Sequence, residues 1–553
     1  MGIFQEYVSL FFNQLLLLTI QHMKNPFLLF CFALPFLSNS LNAQTPWALD
    51  SNWGQDGIVT HNYGYNDNIT DVKVQPDNKV VVVGTALSAA FAGRLMVARY
   101  LPDGALDPSF NDSGSVIIND FTESYAYECL IRTDGKIVVV GAAANPQYQF
   151  SMLALRLNAD GSLDSTFGVN GFTQTDLLPG DEFAYSIAEQ ADHKYILAGN
   201  VSDTAFRNVP AIIRLKEDGS IDDSFGIGGL SQIPATNSDN DFSSVLVQAD
   251  GKIVASGHYD QGLTDNGQNN FDFLIARFDE NGLLDPSFSN DGVDMTPVSN
   301  TLSEEAYGMK ITADGNILLS GYTTLNDFTF EACLVQYKNS GILDPNFGVN
   351  GKIKTGLNPY DVFNDVTITN QHILAAGGTG EFFSDNQEFL LYRFNLDGSI
   401  DSSFGTNGYI TTGIFQSFDE ANALALQSDG KILLAGKGRN TNDNDAAIVR
   451  YTNEDQSGIS TLKGATSISV FPNPVAAGQS INITLSTAKS EIIDFSIFSA
   501  DGRLCAKWNA GQLNAGTTNY SVEIPSTLSN GAYILSAKSS NGSISSQLLL
   551  ISK

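Results

Sequence analysis

The sequence predicts an all-β chain: a seven-bladed β-propeller of four-stranded blades, followed by a small C-terminal β-sandwich. Three observations carry that expectation. An element of the form Leu/Ile-Asp-x-x-aromatic starts at residues 49, 106, 163, 221, 284, 343 and 400. A period of about sixty residues is the mark of stacked supersecondary units, each too small to bury both faces alone. The ends of the array are complementary: the first element, LDSNWGQDGIV, has no strand before it, and the last strand, AIVRY, has no such element after it. A ring closed through residues 49–61 accounts for both.

Within each unit the strands follow in order. A hairpin is written as VQPDNKVVVVG, IRTDGKIVVVG, AEQADHKYILAG, VQADGKIVASG, ITADGNILLSG, ITNQHILAAG and LQSDGKILLAG. Asp-Gly between two β-rich runs predicts a type I′ turn, with positive φ at both central residues. A third strand follows (RLMVARY, SMLALRL, FDFLIARF and their counterparts), and a fourth comes after the Leu-Asp element (SVIIND, GYITTG). Radial packing of such sheets leaves only short edges.

The Leu-Asp element reads as a corner. In LDSTFG the Asp164 carboxylate is placed to cap one turn, Gly168 to end it in the left-handed region, and Leu163 and Phe167 to clamp it in apolar contact. An Arg stands eight residues before the Asp in Arg99/Asp107, Arg156/Asp164, Arg214/Asp222, Arg277/Asp285 and Arg393/Asp401, with Gln336 in that slot before Asp344. A planar, bidentate pair would pin each corner to its own blade. Arg450 and Asp50, the two left over, are expected to pair across the closure. Groups repeated once per unit serve the repeat, so no catalytic residue is assigned among them.

A second regularity is an acid at the head of each first strand: Asp67, Glu123, Glu182, Asp241, Glu304, Asp361 and Asp419. If that strand lines the channel, these acids ring one mouth, a binding rim suited to Ca²⁺ or a cationic ligand. The competing expectation, which the residue types favour, is solvated loop acids or turn caps. Among the histidines, His193 and His372 fall at hairpin tips as exposed turn residues, and His61 and His258 lie near strand ends. No metal site and no resident cofactor is predicted, calcium apart. Cys129 and Cys333 sit in strand patterns as buried thiols.

Acids outnumber bases 60 to 29, a net charge of −31 that argues against nucleic acid and anionic membranes as partners. The N-terminus holds Lys24, the apolar run Phe27–Leu37 and a small residue at Ala43, which reads as a secretory signal over residues 1–43, with Met23 the expected true start. No membrane span is expected in the mature protein. The domains are then the propeller over 44–455, a linker over 456–466 and the sandwich over 467–553.

The combination of DGK-I, the Arg and DGSLDxxFG, in register seven times, resembles the delta-60 repeat family, which implies a propeller repeat of secreted proteins and no particular reaction. FPNP, FSADGRL, NGAYIL and the terminal LLLISK resemble type A sorting domains of type IX secretion. The resemblance marks Pro472, Asn473, Pro474, Gly531, Tyr533 and Lys553 as sorting-motif positions. It implies the type IX machinery as a partner, a Gram-negative source, and secretion or display on the outer membrane. The functional expectation is a monomeric, non-catalytic binding or scaffolding module for a glycan or protein ligand. An extracellular hydrolase or lyase, and a purely structural surface protein, are the alternatives.

Overall fold

The computed structural model describes residues 47–452, apart from 236, 238, 264–268, 300–302, 326–328, 382–385, 416 and 441–442. It also describes 467–471, 473–487, 491–499, 504–513, 516–539 and 544–552. The signal segment, the Met23 start, the linker 456–466, Pro472 and Lys553 lie outside the described residues.

Among the described residues, the strands between Ile58 and Tyr451 fall into seven four-stranded antiparallel groups, two of them joined by a single parallel bridge from Phe330 to Tyr360. We number these blades 1 to 7 by their inner strands: Asp67–Val74, Glu123–Ile131, Glu182–Glu189, Asp241–Val247, Glu304–Ile311, Tyr360–Ile368 and Glu420–Leu426. Each inner strand packs against the next, and that of blade 7 packs against that of blade 1. Apolar layers fill the space between blades, such as Val81, Val97 and Phe110 of blade 1 against Ala126 and Val139 of blade 2. Each sheet buries one face on either neighbour, which is why its second and third strands are apolar almost throughout (Ile137–Ala144 is buried at every position).

The N-terminal strand Ile58–His61 pairs antiparallel with Asn444–Tyr451, as the outer strand of blade 7. Leu49 bridges Tyr451, and the Asp50 amide donates to the Arg450 carbonyl at 2.8 Å. The two ends of the array are thus stitched in one sheet.

The hairpin turns differ from the type I′ expectation. In Thr133-Asp134-Gly135 the Gly135 amide donates to the Arg132 carbonyl (3.0 Å), the Arg132 amide donates to the Lys136 carbonyl (2.8 Å), and only Gly135 is left-handed, at φ 82°. This is a three-residue loop, a type I turn plus one bulge residue. Asn78 and His193 take the bulge position in blades 1 and 3, residue types that tolerate it better than most.

The glycine that closes each hairpin motif has a separate cause. Every inner strand carries a bulge, between Ile69 and Asp71 in blade 1 and at the matching place elsewhere. The bulge drives a carbonyl at the facing strand. A Cβ on Gly84 would lie 2.0 Å from the Asn68 oxygen, and one on Gly257 2.2 Å from that of Asp241. Only glycine fits there.

The C-terminal residues form two sheets, one of three strands and one of five, over a shared apolar core that includes Ile481, Ile483, Phe495, Ile497, Leu535 and Leu549.

Candidate functional site

The corners occupy the lower face, where the DGK turns also lie. Each Arg reaches its Asp: 2.8 Å for Arg99–Asp107, 2.6 Å for Arg156–Asp164, 2.9 Å for Arg214–Asp222 and 2.8 Å for Arg277–Asp285. Arg393–Asp401 closes at 2.8 Å and Arg450–Asp50 at 2.9 Å, while Gln336 donates to Asp344 at 3.2 Å. The expected bidentate geometry is absent, because Oδ1 of each Asp is already used. In Asp164 it accepts the backbone N–H and hydroxyl of Thr166, the capping contact. The guanidinium therefore spreads. Arg156 gives Nε to Asp164, Nη2 to the Thr166 hydroxyl and Nη1 to the Glu217 carbonyl of blade 3. The Arg thus ties its corner to its own blade and, through the third contact, to the next blade as well. Arg450 does the same across the closure, donating to the Pro102 carbonyl of blade 1.

Two partners escaped the sequence reading. The Lys of DGK reaches the same carboxylate: Lys79–Asp107 at 3.1 Å, Lys136–Asp164 at 2.7 Å, Lys252–Asp285 at 2.9 Å and Lys431–Asp50 at 3.3 Å. His372 stands in this slot in blade 6. It is not an exposed turn residue but half-buried, with Nε2 3.3 Å from Asp401. The aromatic does not clamp its Leu either. Leu163 packs between blades 1 and 2, while Phe167 lies under the Arg156 guanidinium (4.8 Å) and against blade 3. The single turn throws the two side chains to opposite faces of the sheet. A Cβ on Gly219, in the DGS turn of blade 3, would strike the Phe167 ring. Blade 7 has no DGS turn, and Trp47 covers Phe404 there instead, with ring centroids 5.0 Å apart.

Burial opposes ionisation of the corner acids. Hydroxyl and amide donors from Ser109, with Lys79 and Arg99, outweigh it at Asp107, which is held well below the usual carboxylate range. The corresponding balance brings Asp222 down to about 2.

The acids at the heads of the inner strands do not form an open rim. Asp67, Glu182, Glu304, Asp361 and Asp419 are buried, and their carboxylates accept backbone N–H groups of the loop just before them. Asp67 takes those of Tyr63 and Gly64, Glu182 those of Leu177 and Leu178, and Asp419 those of Ile414 and Phe415. These are loop caps. Burial pushes Asp67 up to about 6 in spite of its donors. Glu123 and Asp241 are one residue out of register: Ser124 and Asn240 hold the cap position in blades 2 and 4, both fully buried. Among the described residues, no group of three or more His, Cys, Asp or Glu is placed to hold a metal ion.

The channel is a cavity of about 710 Å³ whose lining takes Asp241 from the seven strand-head acids and is otherwise made by other side chains. Some of its acids bind the blades together. Asp71 accepts the Cys129 amide at 2.9 Å, Glu128 that of Ile187 at 3.0 Å and Asp365 that of Leu424 at 2.9 Å, each from the following blade. Lys73 bridges Asp71 and Glu128 at 3.0 and 3.1 Å.

Toward the upper face the blades cease to be alike. The position before the residue facing the central glycine is Asn68, Tyr125, Phe183, Asp241, Glu305, Val362 and Glu420 in blades 1 to 7. Rings run inward through blades 2 and 3: Tyr125–Phe150 at 5.9 Å, Phe150–Phe183 at 5.3 Å and Phe183–Tyr185 at 6.1 Å. Opposite them, Glu305 accepts the hydroxyls of Tyr322 (2.6 Å) and Tyr307 (2.9 Å), and Glu420 accepts that of Tyr360 (3.0 Å) while Lys437 lies 3.0 Å away. Glu304 and Glu305 point apart, one to a loop and one to this mouth. His258 lies 3.3 Å from Asp241; burial opposes its charge, but Asp241 and Glu305 outweigh it and push the imidazole up to about 9.

Residues 75–110, 132–167, 190–225, 248–288, 372–404 and 427–455 match the family described as "Domain of unknown function (DUF5122) beta-propeller". Residues 469–551 match the "Secretion system C-terminal sorting domain". The chain is a DUF5122 β-propeller with a secretion sorting tail. Such a tail directs secretion and cell-surface attachment through the type IX system, whose machinery is its partner. In the DUF5122 protein, Asn473 Oδ1 accepts the Leu550 amide at 2.8 Å, Tyr533 is buried against Ser529, and Gly531 opens a strand of the five-stranded sheet. No helix among the described residues is long and apolar enough to cross a membrane.

No curated protein matches the chain. Solved structures similar to it include a fungal alcohol oxidase of the AA5 family in complex with copper, at 14% identity, 91% of this chain, 99% of that one and TM-score 0.41. A putative oxidoreductase (glucose dehydrogenase) of Thermus thermophilus gives 14%, 59%, 96% and 0.33, and a Bombyx mori GH32 β-fructofuranosidase 13%, 66%, 85% and 0.28. Superpositions this loose carry no chemistry across.

Proposed function

We propose that the DUF5122 protein is a surface-displayed, non-catalytic binding module whose ligand contacts the upper mouth of the propeller. One observation carries this reading. Charged groups that recur in every blade are engaged in joining blades, whereas the side chains that differ from blade to blade gather at the upper mouth. Residues that vary over a rigid repeat are where recognition is free to evolve. The mouth offers phenols, ring faces and carboxylates, a set suited to neutral, hydroxyl-rich or cationic ligands.

Binding of the purified chain to a glycan array and to a panel of peptides tests the reading. Retention of a ligand that Glu305→Gln or Tyr307→Phe weakens supports it; binding indifferent to both changes removes it.

The hydrolase alternative has one observation in its favour, the His258–Asp241 pair beside the channel. An imidazole with a pKa of about 9 is protonated at neutral pH and so is a poor general base there. Turnover in a broad hydrolase screen, lost in His258→Ala, would restore this alternative.

A further inference from the structure

The second and third strands of each blade are joined on the upper face. In blades 1, 2 and 3 these hairpins are Ser88–Ala92, Asn145–Gln149 and Asp203–Arg207, and all three close alike. The amides of Phe91, Tyr148 and Phe206 donate to the carbonyls of Ser88, Asn145 and Asp203 at 2.8, 2.9 and 2.9 Å. The fourth residue of each is left-handed, with φ of 59°, 60° and 60°. Loops of the same construction on the lower face put Gly135, Gly251, Gly315 and Gly430 there, or Asn78 and His193. A bulky residue in this conformation is strained, because its Cβ crowds the following carbonyl oxygen.

Phe91, Tyr148 and Phe206 are also 66%, 64% and 80% exposed. The position thus carries strain and gains little burial in return. Phe91 meets the half-exposed Tyr65 ring at 5.6 Å, which widens its platform. Phe150, two residues beyond Tyr148, begins the row of rings that runs to the channel.

The geometry points to a stacking platform for a neutral polysaccharide, one ring per blade across three successive blades. This inference rests on the binding reading above and names its ligand class and contact residues. Repeated rings at repeated spacing suit a polymer of repeated sugar rings, whose C–H faces pack on aromatic faces. The net charge of −31 disfavours polyanions and anionic bilayers. The three rings stand on separate tips, Tyr148 between Gln147 and Gln149, Phe206 between Ala205 and Arg207, and Phe91 between Ala90 and Ala92, unlike the contiguous apolar centre of a protein interface.

The test uses the full chain and the variants Phe91→Gly, Tyr148→Gly and Phe206→Gly, singly and together. Retention is measured on cellulose, xylan and β-1,3-glucan by pull-down and affinity electrophoresis, with alginate and phosphatidylcholine vesicles alongside. The expected result is retention on at least one neutral polysaccharide, at least tenfold weaker in the triple variant, with Tm unchanged or raised because strain is relieved. A fall in Tm of several degrees would assign the rings a structural role and overturn the proposal. So would a triple variant that binds as well as the parent, retention on no neutral polysaccharide, or vesicle binding lost in the triple variant. If Glu305→Gln weakens polysaccharide retention and the triple variant does not, this inference falls while the binding reading stands.

Discussion

The two faces of the propeller use the same kinds of residue to opposite ends. On the lower face Asp and an aromatic recur with each blade, Arg and Lys with most of them, and their contacts recur too. On the upper face acids and aromatics sit at matching backbone positions, yet no two blades place the same set there. The lower face is a fastening repeated around a ring. The upper face is a frame in which each position has been free to differ.

The largest effect is expected where the fastening joins the chain ends. Arg450→Ala leaves Asp50 buried with Lys431 alone and cuts the link to the Pro102 carbonyl. Breaking a buried pair costs about 3–5 kcal/mol, read as a fall in Tm or in the denaturant midpoint. Blade 5 sharpens the comparison, because it already uses Gln336 on Asp344 and Asn316 in place of Lys. Arg214→Gln should therefore cost less than Arg214→Ala. Equal losses would mean that charge, and not the hydrogen bond, holds the corner.

Next comes the central glycine. Gly257→Ala places a methyl 2.2 Å from the Asp241 carbonyl oxygen, a backbone atom that gives way only if the inner strand moves. Overpacking of this kind costs about 1–3 kcal/mol. If the shifted strand also weakens ligand retention, the bulge couples the fastened frame to the mouth.

A third effect distinguishes the faces by the sign of their response to pH. Asp107 and Asp222 have depressed folded-state pKa values. Their stabilisation is complete above the unfolded value of about 3.9 and is lost as pH falls through the folded value, about 2 for Asp222. Asp67 is shifted the other way, to about 6, so its contribution declines as pH rises from about 4 to 6. At pH 7 Asp107→Asn should lower Tm, whereas Asp67→Asn, which keeps an acceptor for the Tyr63 and Gly64 amides, should leave it level or raise it. A fall in both would mean that the caps need their charge.

The division between the faces also marks what could be read from the sequence. The ring was legible because its corner is spelled seven times, the Arg–Asp pairing because it recurs five times at a spacing of eight, and the stitch between Asp50 and Arg450 because each is half of one more such pair. The lysine's second partner was not, since its Asp lies 28 residues away in Lys136–Asp164 and belongs to another motif. The closing glycine was visible in every hairpin, but its reason is a carbonyl on the facing strand, and a bulge leaves no pattern of its own. Counting acids at strand heads picked Glu123 and Asp241, because in blades 2 and 4 the acid stands one residue away from the position that Ser124 and Asn240 occupy. The mouth was illegible for a different reason: only the fold brings Tyr307, Tyr322, Tyr360, Glu305 and Glu420 together, and no period announces them.

The smallest effect on stability, and the sharpest test of the upper face, is expected from Glu305→Gln. An amide oxygen still accepts from Tyr307 and Tyr322, so the change in stability should stay within about 1 kcal/mol, as for most replacements that leave packing intact. What the substitution removes is charge. Glu305 contributes to the raised pKa of His258, after Asp241. The imidazole should therefore titrate lower in the variant. The His258 resonances followed by NMR across pH 6 to 10 read the change. The folded-state pKa of His258 lies above the unfolded value of about 6.5, so its stabilisation is present below that value and lost as pH rises through about 9. The variant should lose part of that slope. An unmoved His258 would mean that Asp241 alone sets its charge, and the mouth would then be a set of independent pairs rather than one electrostatic unit.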